Sequence, residues 1–279
     1  FQEENYKLGS ITNTDPTIRE KATAHLIECI EIGKIFRAPY QNFWFADGTN
    51  FPGQGDFIDR KKWMLECLKI AYENLEEYMN VFLEYKFYEP AFYHTDIPDW
   101  GTALLFCQKL GEKAKVLVDL GHHALGTNIE FIVAQLCDEG RLGGFHLNSK
   151  KYGDDDLTTG SLNPYELFLI FNELYKAGAD DSRTTAFMLD QSHNLKPKIE
   201  AMIQSIISTQ EIYAKVLTID REKIQKAQQQ GDIIVAEECL KEAFYTDVKP
   251  LLSYWRTQHN LPSHPFKAYR DSEFNKRLI

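Results

Sequence analysis

Glu84, Asp119, His146 and Asp190 each fall at or beside the C-terminal end of a different predicted strand, and His122, Asp154 and Asp156 follow just beyond such ends. In parallel α/β folds that edge is where sites are built, because it gathers side chains from several strands. Carboxylates with a minority of imidazoles and no thiolate form a hard, oxygen-rich donor set that suits Mg²⁺, Mn²⁺ or Co²⁺. So many acids on one rim repel one another unless neutralised, and they are too many for one ion, so the sequence implies two bound metals. Lys86 lies two residues after Glu84 and, on an extended chain, points the same way, which makes it a candidate electrophile. Trp44 offers an apolar wall for a sugar or another small polyol, and Ser192 offers a hydroxyl to hold water or substrate.

Each of these residues also has a plain structural reading. A single acid at a strand end is more often a helix cap or a solvated loop residue. His122 and His123 fit a packed core or a surface, and 154–156 fits a solvated acidic turn. Most lysines merely face water, and a tryptophan placed as Trp44 is more often core than ligand wall. His25 and His94 stand off any strand end and read as structural. The chemical reading rests on the set, not on any one member.

Positioning such a set requires strands and helices in alternation. Asp15-Pro16 reads as a cap with proline at the first helical position, and Ile18, Ala22, Leu26, Ile30 and Gly33 recur at helical spacing over 16–36. A strand over 40–46, a loop over 47–55 and a helix carrying Met64, Leu68, Ala71, Leu75 and Tyr78 on one face follow. The cycle repeats with strands at 81–85, 115–119, 143–148 and 184–190 and helices at 100–110, 128–137 and 164–175, the last opened by Asn163-Pro164 with Glu166 as a capping box. From 197 the chain reads as helical to its end. Such alternation predicts parallel strands with crossover helices, in an open sheet or a barrel. No GxGxxG or P-loop follows a strand, which weakens a nucleotide-binding version. The chain opens with a polar loop and a helix, as though the first strands of such a fold were missing.

Composition excludes other classes. The 279 residues carry 31 Lys+Arg against 41 Asp+Glu, and a net charge of −10 repels a phosphate backbone, so nucleic acid is not an expected partner. The richest apolar run, 167–171, is far short of a membrane span, and the first 30 residues lack a signal-peptide pattern, so the expected protein is soluble and cytoplasmic. The five cysteines (Cys29, Cys67, Cys107, Cys137 and Cys239) are odd in number, lack a CxxC and lie in helix-like patterns, which reads as reduced, buried thiols.

The motifs Val118-Asp-Leu-Gly-His-His123, Gly143-Gly-Phe-His146, Lys151-Tyr-Gly-Asp-Asp-Asp156 and Leu189-Asp-Gln-Ser-His-Asn194 resemble those of the broad-specificity bacterial L-rhamnose isomerases, of the xylose isomerase-like barrel superfamily. The resemblance extends to Glu28-Cys-Ile-Glu-Ile-Gly33, Asp47-Gly-Thr-Asn-Phe-Pro-Gly-Gln54, Tyr88-Glu-Pro-Ala-Phe-Tyr93 and Phe171-Asn-Glu-Leu174, in order along nearly the whole chain. It implies a (β/α)₈ TIM barrel, here an N-terminally truncated fragment of about the last five βα units, with 1–195 a partial barrel and 196–279 the last barrel helix and a C-terminal helical extension. It also implies a homotetramer when full length and two divalent ions per subunit, typically Mn²⁺. By resemblance Glu84, Asp119, His146 and Asp190 hold the structural metal. His122, Asp154 and Asp156 hold the catalytic one, with Asp119 bridging. Lys86 matches the active-site lysine, Trp44 the tryptophan beside the sugar, and Ser192 a residue near the reacting end. Asn148-Ser-Lys150 departs from the usual acidic residue after the strand histidine, and Tyr85 stands where a histidine is commoner.

The expected activity is interconversion of L-rhamnose and L-rhamnulose, with other aldoses as further substrates, within rhamnose catabolism. A 1,2-hydride shift needs only charge stabilisation, from the metals and Lys86, whereas a cis-enediol route needs a base such as a rim carboxylate. The resemblance would place Lys86, Asp156, His122 and Ser192 closest to the chemistry. A single-metal ketose 3-epimerase of the same superfamily is the alternative, against which the number of acids argues. A metal-dependent phosphodiesterase conflicts with the −10 charge and the lack of a basic patch. An inactive truncated fragment is the non-enzyme reading.

Overall fold

A computed structural model of the chain describes residues 3–89, 93–191 and 195–276. The first elements are a 3₁₀ turn (Glu4–Tyr6), α1 (Pro16–Ile35), β1 (Tyr40–Trp44), α2 (Phe57–Glu73), β2 (Asn80–Glu84), β3 (Tyr88–Glu89), β4 (Tyr93–His94), α3 (Trp100–Leu110) and β5 (Ala114–Asp119). They are followed by α4 (Ile129–Asp138), β6 (Leu142–Leu147), α5 (Pro164–Ala177), β7 (Ala186–Leu189) and six further helices: α6 (Lys198–Val216), α7 (Arg221–Gln230), α8 (Ile233–Tyr245), α9 (Lys249–Gln258), α10 (Pro265–Asp271) and α11 (Glu273–Lys276).

Five strands form one sheet in the order β1-β2-β5-β6-β7, with parallel pairing from β1 through β6. Chain order and sheet order coincide, as successive strand–helix–strand units produce and as the alternation in the sequence predicts. β3 and β4 make a separate antiparallel hairpin. The helices begin where their caps say they should. Asp15, Asp56 and Asp99 each accept a backbone N–H at the start of α1, α2 and α3, and Asn163 does the same for Glu166 at the start of α5. α2 ends at Glu73 rather than running to Tyr78: Leu75 is still buried, but Tyr78 is half exposed as the chain turns into β2.

The chain divides into two compact units, Phe1–Thr127 with Gln135–His146 and Ser182–Met188, and Asn128–Ala134 with Leu147–Asp181 and Leu189–Ile279. In the first, Phe82, Leu117 and Ala186 form a core cluster against which Tyr40 and Met188 pack. The Tyr40 and Phe82 rings stack at 4.7 Å. In the second, Phe168 and Tyr165 of α5 meet Phe244 of α8 at 5.5 and 5.0 Å, and Phe171 meets Tyr213 of α6 edge-on. All five cysteines lie on helices, and three of them, Cys67, Cys107 and Cys239, are buried. Burial pushes the Cys107 thiol up to about 12 despite Arg141 nearby, which makes it inert. Among the described residues no helix is long and apolar enough to cross a membrane.

Candidate metal centre

Glu84 is the last residue of β2, Asp119 the last of β5 and His146 the last but one of β6. The ladder sets their level: Glu84 lies opposite Leu117, two residues before Asp119, and Asp119 lies opposite His146. Residues two apart on a strand share a face, so all three side chains leave the sheet on one side. Two glycines let β6 deliver its histidine there. A Cβ on Gly143 would come within 2.6 Å of the Phe82 ring, and one on Gly144 within 2.5 Å of the Ala186 carbonyl oxygen.

The donor atoms of Glu84, Asp119 and His146 lie within 4.8 Å of one another. His146 Nδ1 is 3.1 Å from Glu84 Oε1 and 3.5 Å from Asp119 Oδ2. The remaining oxygens are used to aim the carboxylates. Asn42 Nδ2 donates to Glu84 Oε2 at 2.6 Å, and the Gly121 N–H donates to Asp119 Oδ1 at 2.7 Å. Glu84 is 4% exposed and Asp119 fully buried. Two carboxylates withdrawn from water demand a nearby cation.

His146 shows that demand. Its burial disfavours the imidazolium, but its hydrogen bonds to Asp119 and Glu84 and their charges outweigh burial and raise its pKa to about 10. In the protein alone the His146 proton neutralises part of the cluster. A divalent cation serves the same electrostatic need from the same atoms, and two carboxylates with one imidazole fit Mn²⁺, Co²⁺ or Mg²⁺.

His122 lies beside this cluster. Its Nδ1 is 3.0 Å from the Tyr85 carbonyl oxygen and 3.4 Å from Glu84 Oε1. Donation from Nδ1–H to that carbonyl selects the tautomer whose lone pair is on Nε2, the form a metal ligand requires. Behind it the Tyr85 hydroxyl is 2.6 Å from His123 Nε2, both residues buried. His123 is thereby part of the packed core. Burial and the charges of Asp119, Asp99 and Glu84 hold the Tyr85 hydroxyl well above its ordinary pKa, so it stays neutral. Lys86 is buried, with its ammonium 5.1 Å from the centre of the Trp44 ring and 3.1 Å from Glu89 Oε1. The sequence reading missed Asn42 and Glu89. Asn42 is a lone polar residue in a five-residue strand, and Glu89 stands on a two-residue strand that carries no periodic signal.

Asp154 and Asp156 belong to the second unit, on the loop closed by the pairing of Ser149 with Leu157. Asn148 Nδ2 donates to Asp156 Oδ1 at 3.3 Å. Asp156 has φ of 42°, in the left-handed region that aspartate tolerates better than most residues and that is enriched at functional sites. Asp190 directly follows β7 and is exposed. Ser192 lies outside the described residues.

No profile of a known protein family matches the chain. It is 45% identical over 279 residues to a probable sugar isomerase of Rhizobium meliloti strain 1021 and 42% identical to another of Mesorhizobium japonicum, in each case over 99% of this chain. The chain spans 65% of the length of these curated relatives. Solved structures share its fold at low identity. A protein from Sinorhizobium meliloti 1021 aligns with a TM-score of 0.55 at 14% identity, over 71% of this chain and 73% of that one. An L-ribulose 3-epimerase aligns at 0.52 and 11%, over 81% and 74%, and a D-allulose 3-epimerase from Methylomonas sp. at 0.51 and 14%, over 73% and 71%. The chain is thus an α/β protein with the strand arrangement of these epimerase folds, and none of these names singles out L-rhamnose.

Proposed function

We infer that this chain carries the metal-holding strand ends of a sugar isomerase or epimerase, which moves hydrogen beside the carbonyl of a small open-chain sugar. The observation that supports this most directly is the convergence of Glu84, Asp119 and His146 within 4.8 Å at the ends of adjacent parallel strands. The 3-epimerase activity named for its structural neighbours favours C3 epimerisation of a ketose over the rhamnose reaction. That cluster suffices for one ion, which fits a single-metal enzyme better than the acid count in the sequence suggested.

In this reading Asp190 completes the ligand set. The ion, Mn²⁺ by preference, supplies Lewis acidity to the carbonyl and its neighbouring hydroxyl. Inverting C3 requires one group to take a proton from one face and another to return it to the opposite face. Glu84 and Asp190 are the carboxylates assigned to that exchange. The Lys86 ammonium stabilises the oxyanion that grows as the proton leaves, and the Trp44 face seats the carbon chain.

A second reading keeps two ions and aldose–ketose isomerisation, with L-rhamnose as the substrate. It is supported by the sugar-isomerase name of the 45%-identical relative and by the His122 tautomer fixed by Tyr85. His122, Asp154 and Asp156 would hold the second ion, and Ser192 would lie near the reacting end.

One experiment separates the readings. The Mn²⁺-loaded protein is incubated in D₂O with D-allulose, L-ribulose and L-rhamnose, and products are followed by NMR while calorimetry counts ions. Deuterium at C3 of an epimerised ketose with one ion per chain supports the first reading. Rhamnulose formed with two ions supports the second. A folded protein that binds no divalent ion and converts no sugar overturns both.

A further inference from the structure

The geometry points to Glu89 as the positioning residue for Lys86, the anchor that holds its ammonium against the Trp44 face. This inference rests on the proposed role of Lys86 at the sugar site. A lysine side chain loses much rotamer freedom when held in one place and, once buried, needs an anion to offset lost hydration. The indole face alone attracts an ammonium but carries no net charge to balance it. Glu89 supplies that charge at an ion-pair distance of 3.1 Å, with the side chains of Lys86 and Glu89 only 6% and 14% exposed.

The β3–β4 hairpin is built to return that carboxylate. Glu89 pairs with Tyr93 and Tyr88 with His94. The Lys86 N–H donates to the Ile97 carbonyl at 3.1 Å, and the Thr95 hydroxyl donates to the Lys86 carbonyl, which closes the segment at its base. The same hairpin is tied to the segment that follows Trp44: the Tyr93 hydroxyl donates to the Ala46 carbonyl at 2.6 Å, and the Thr49 N–H to the His94 carbonyl at 2.9 Å. Gly48 allows this approach, since a Cβ there would lie 2.1 Å from the His94 carbonyl oxygen. Trp44, Lys86 and Glu89 are therefore held on one hydrogen-bonded scaffold.

The test is a cycle of Glu89→Gln, Lys86→Met and the double variant, with Glu89→Asp as the conservative change. The metal-independent readout is the Trp44 indole N–H resonance, assigned by its loss in Trp44→Phe. Expected are a shifted resonance in Glu89→Gln, partial recovery in Glu89→Asp, and no further change when Glu89→Gln is added to Lys86→Met. In the Mn²⁺-loaded protein, Glu89→Gln lowers kcat by about 10- to 100-fold, because misplacing an electrophile costs the transition state. KM and Mn²⁺ affinity stay within about threefold, as only the transition-state interaction is lost. A resonance that Lys86→Met moves and Glu89→Gln does not, or additive losses in the double variant, overturns the assignment. If wild-type protein converts no sugar, the functional reading fails, while the resonance cycle still decides the role of Glu89.

Discussion

The strand-end cluster of the first unit and the acidic loop of the second offer similar donors, fixed in opposite ways. Glu84, Asp119 and His146 come from three strands, and Glu84 is aimed from afar by Asn42, 42 residues away, while the Gly121 N–H aims Asp119 from next to it. The loop draws on local supports. Asp155 accepts the Lys151 N–H at 3.0 Å and the Tyr152 N–H at 3.3 Å, Ser149 and Leu157 exchange backbone hydrogen bonds of 2.9 and 2.7 Å, and Asn148 reaches Asp156. Strand-end carboxylates held by a ladder keep their charge in place whether or not a ligand is present. Loop carboxylates divide the work, and at least one of them serves the loop itself.

The largest expected effect tests that contrast directly. Asp119→Asn removes a fully buried carboxylate of the proposed ligand set and should weaken Mn²⁺ binding by more than the roughly 100-fold that loss of a supporting residue can cost. Asp156→Asn should leave the first ion within about threefold if one metal suffices, since the hard donors that hold it lie at the strand ends. Calorimetry on both variants decides, and equal losses would mean that loop and strand ends act as one ligand set. Asp119→Asn should also lower the His146 pKa, because it removes one of the two carboxylates that raise it.

Proton competition is the next effect. With a metal-free pKa near 10, His146 must release a proton to ligate, so apparent Mn²⁺ affinity should fall about tenfold for each pH unit below that value. Stability of the metal-free protein should move the other way. The folded state holds this proton more tightly than the unfolded chain, so its contribution is complete below the ordinary value of 6.5 and lost as pH rises toward 10. Thermal melts across that window should show the decline without metal and a flatter profile with saturating Mn²⁺. A metal-free melt that rises through the window would break the argument.

How much of this was legible depended on the range of the signal. The starts of α1 and α5 were legible because Asp15 and Asn163 cap within three residues of themselves. The candidate cluster was legible because parallel strands place their last residues on a common edge, and Glu84, Asp119 and His146 interrupt apolar runs at that edge. Asn42 was not, because nothing local separates it from any polar strand residue; its meaning is the 2.6 Å bond to Glu84, which only the register creates. Asn42→Ala should weaken Mn²⁺ binding by about 10- to 100-fold with little change in melting temperature, as removal of a ligand's support does. The end of α2 was misread because a buried Leu75 continued the helical spacing beyond the point where the backbone had left the helix.

The smallest effect falls on Asp155, and its direction matters more than its size. Both of its carboxylate oxygens accept from the Lys151 N–H, and one also accepts from Tyr152, so the side chain closes its own loop. Asp155→Ala removes acceptors from a partly exposed turn, a loss of the same kind as a helix cap, about 1 kcal/mol. A chain of this size should then melt about 2–4 °C lower. Binding of the first Mn²⁺ should not change, because none of its donors depends on the loop closing. If Asp155→Ala instead weakened that ion as strongly as Asp119→Asn does, the loop would have to be counted with the ligands, and the distinction between ladder-held and loop-held acids would fail.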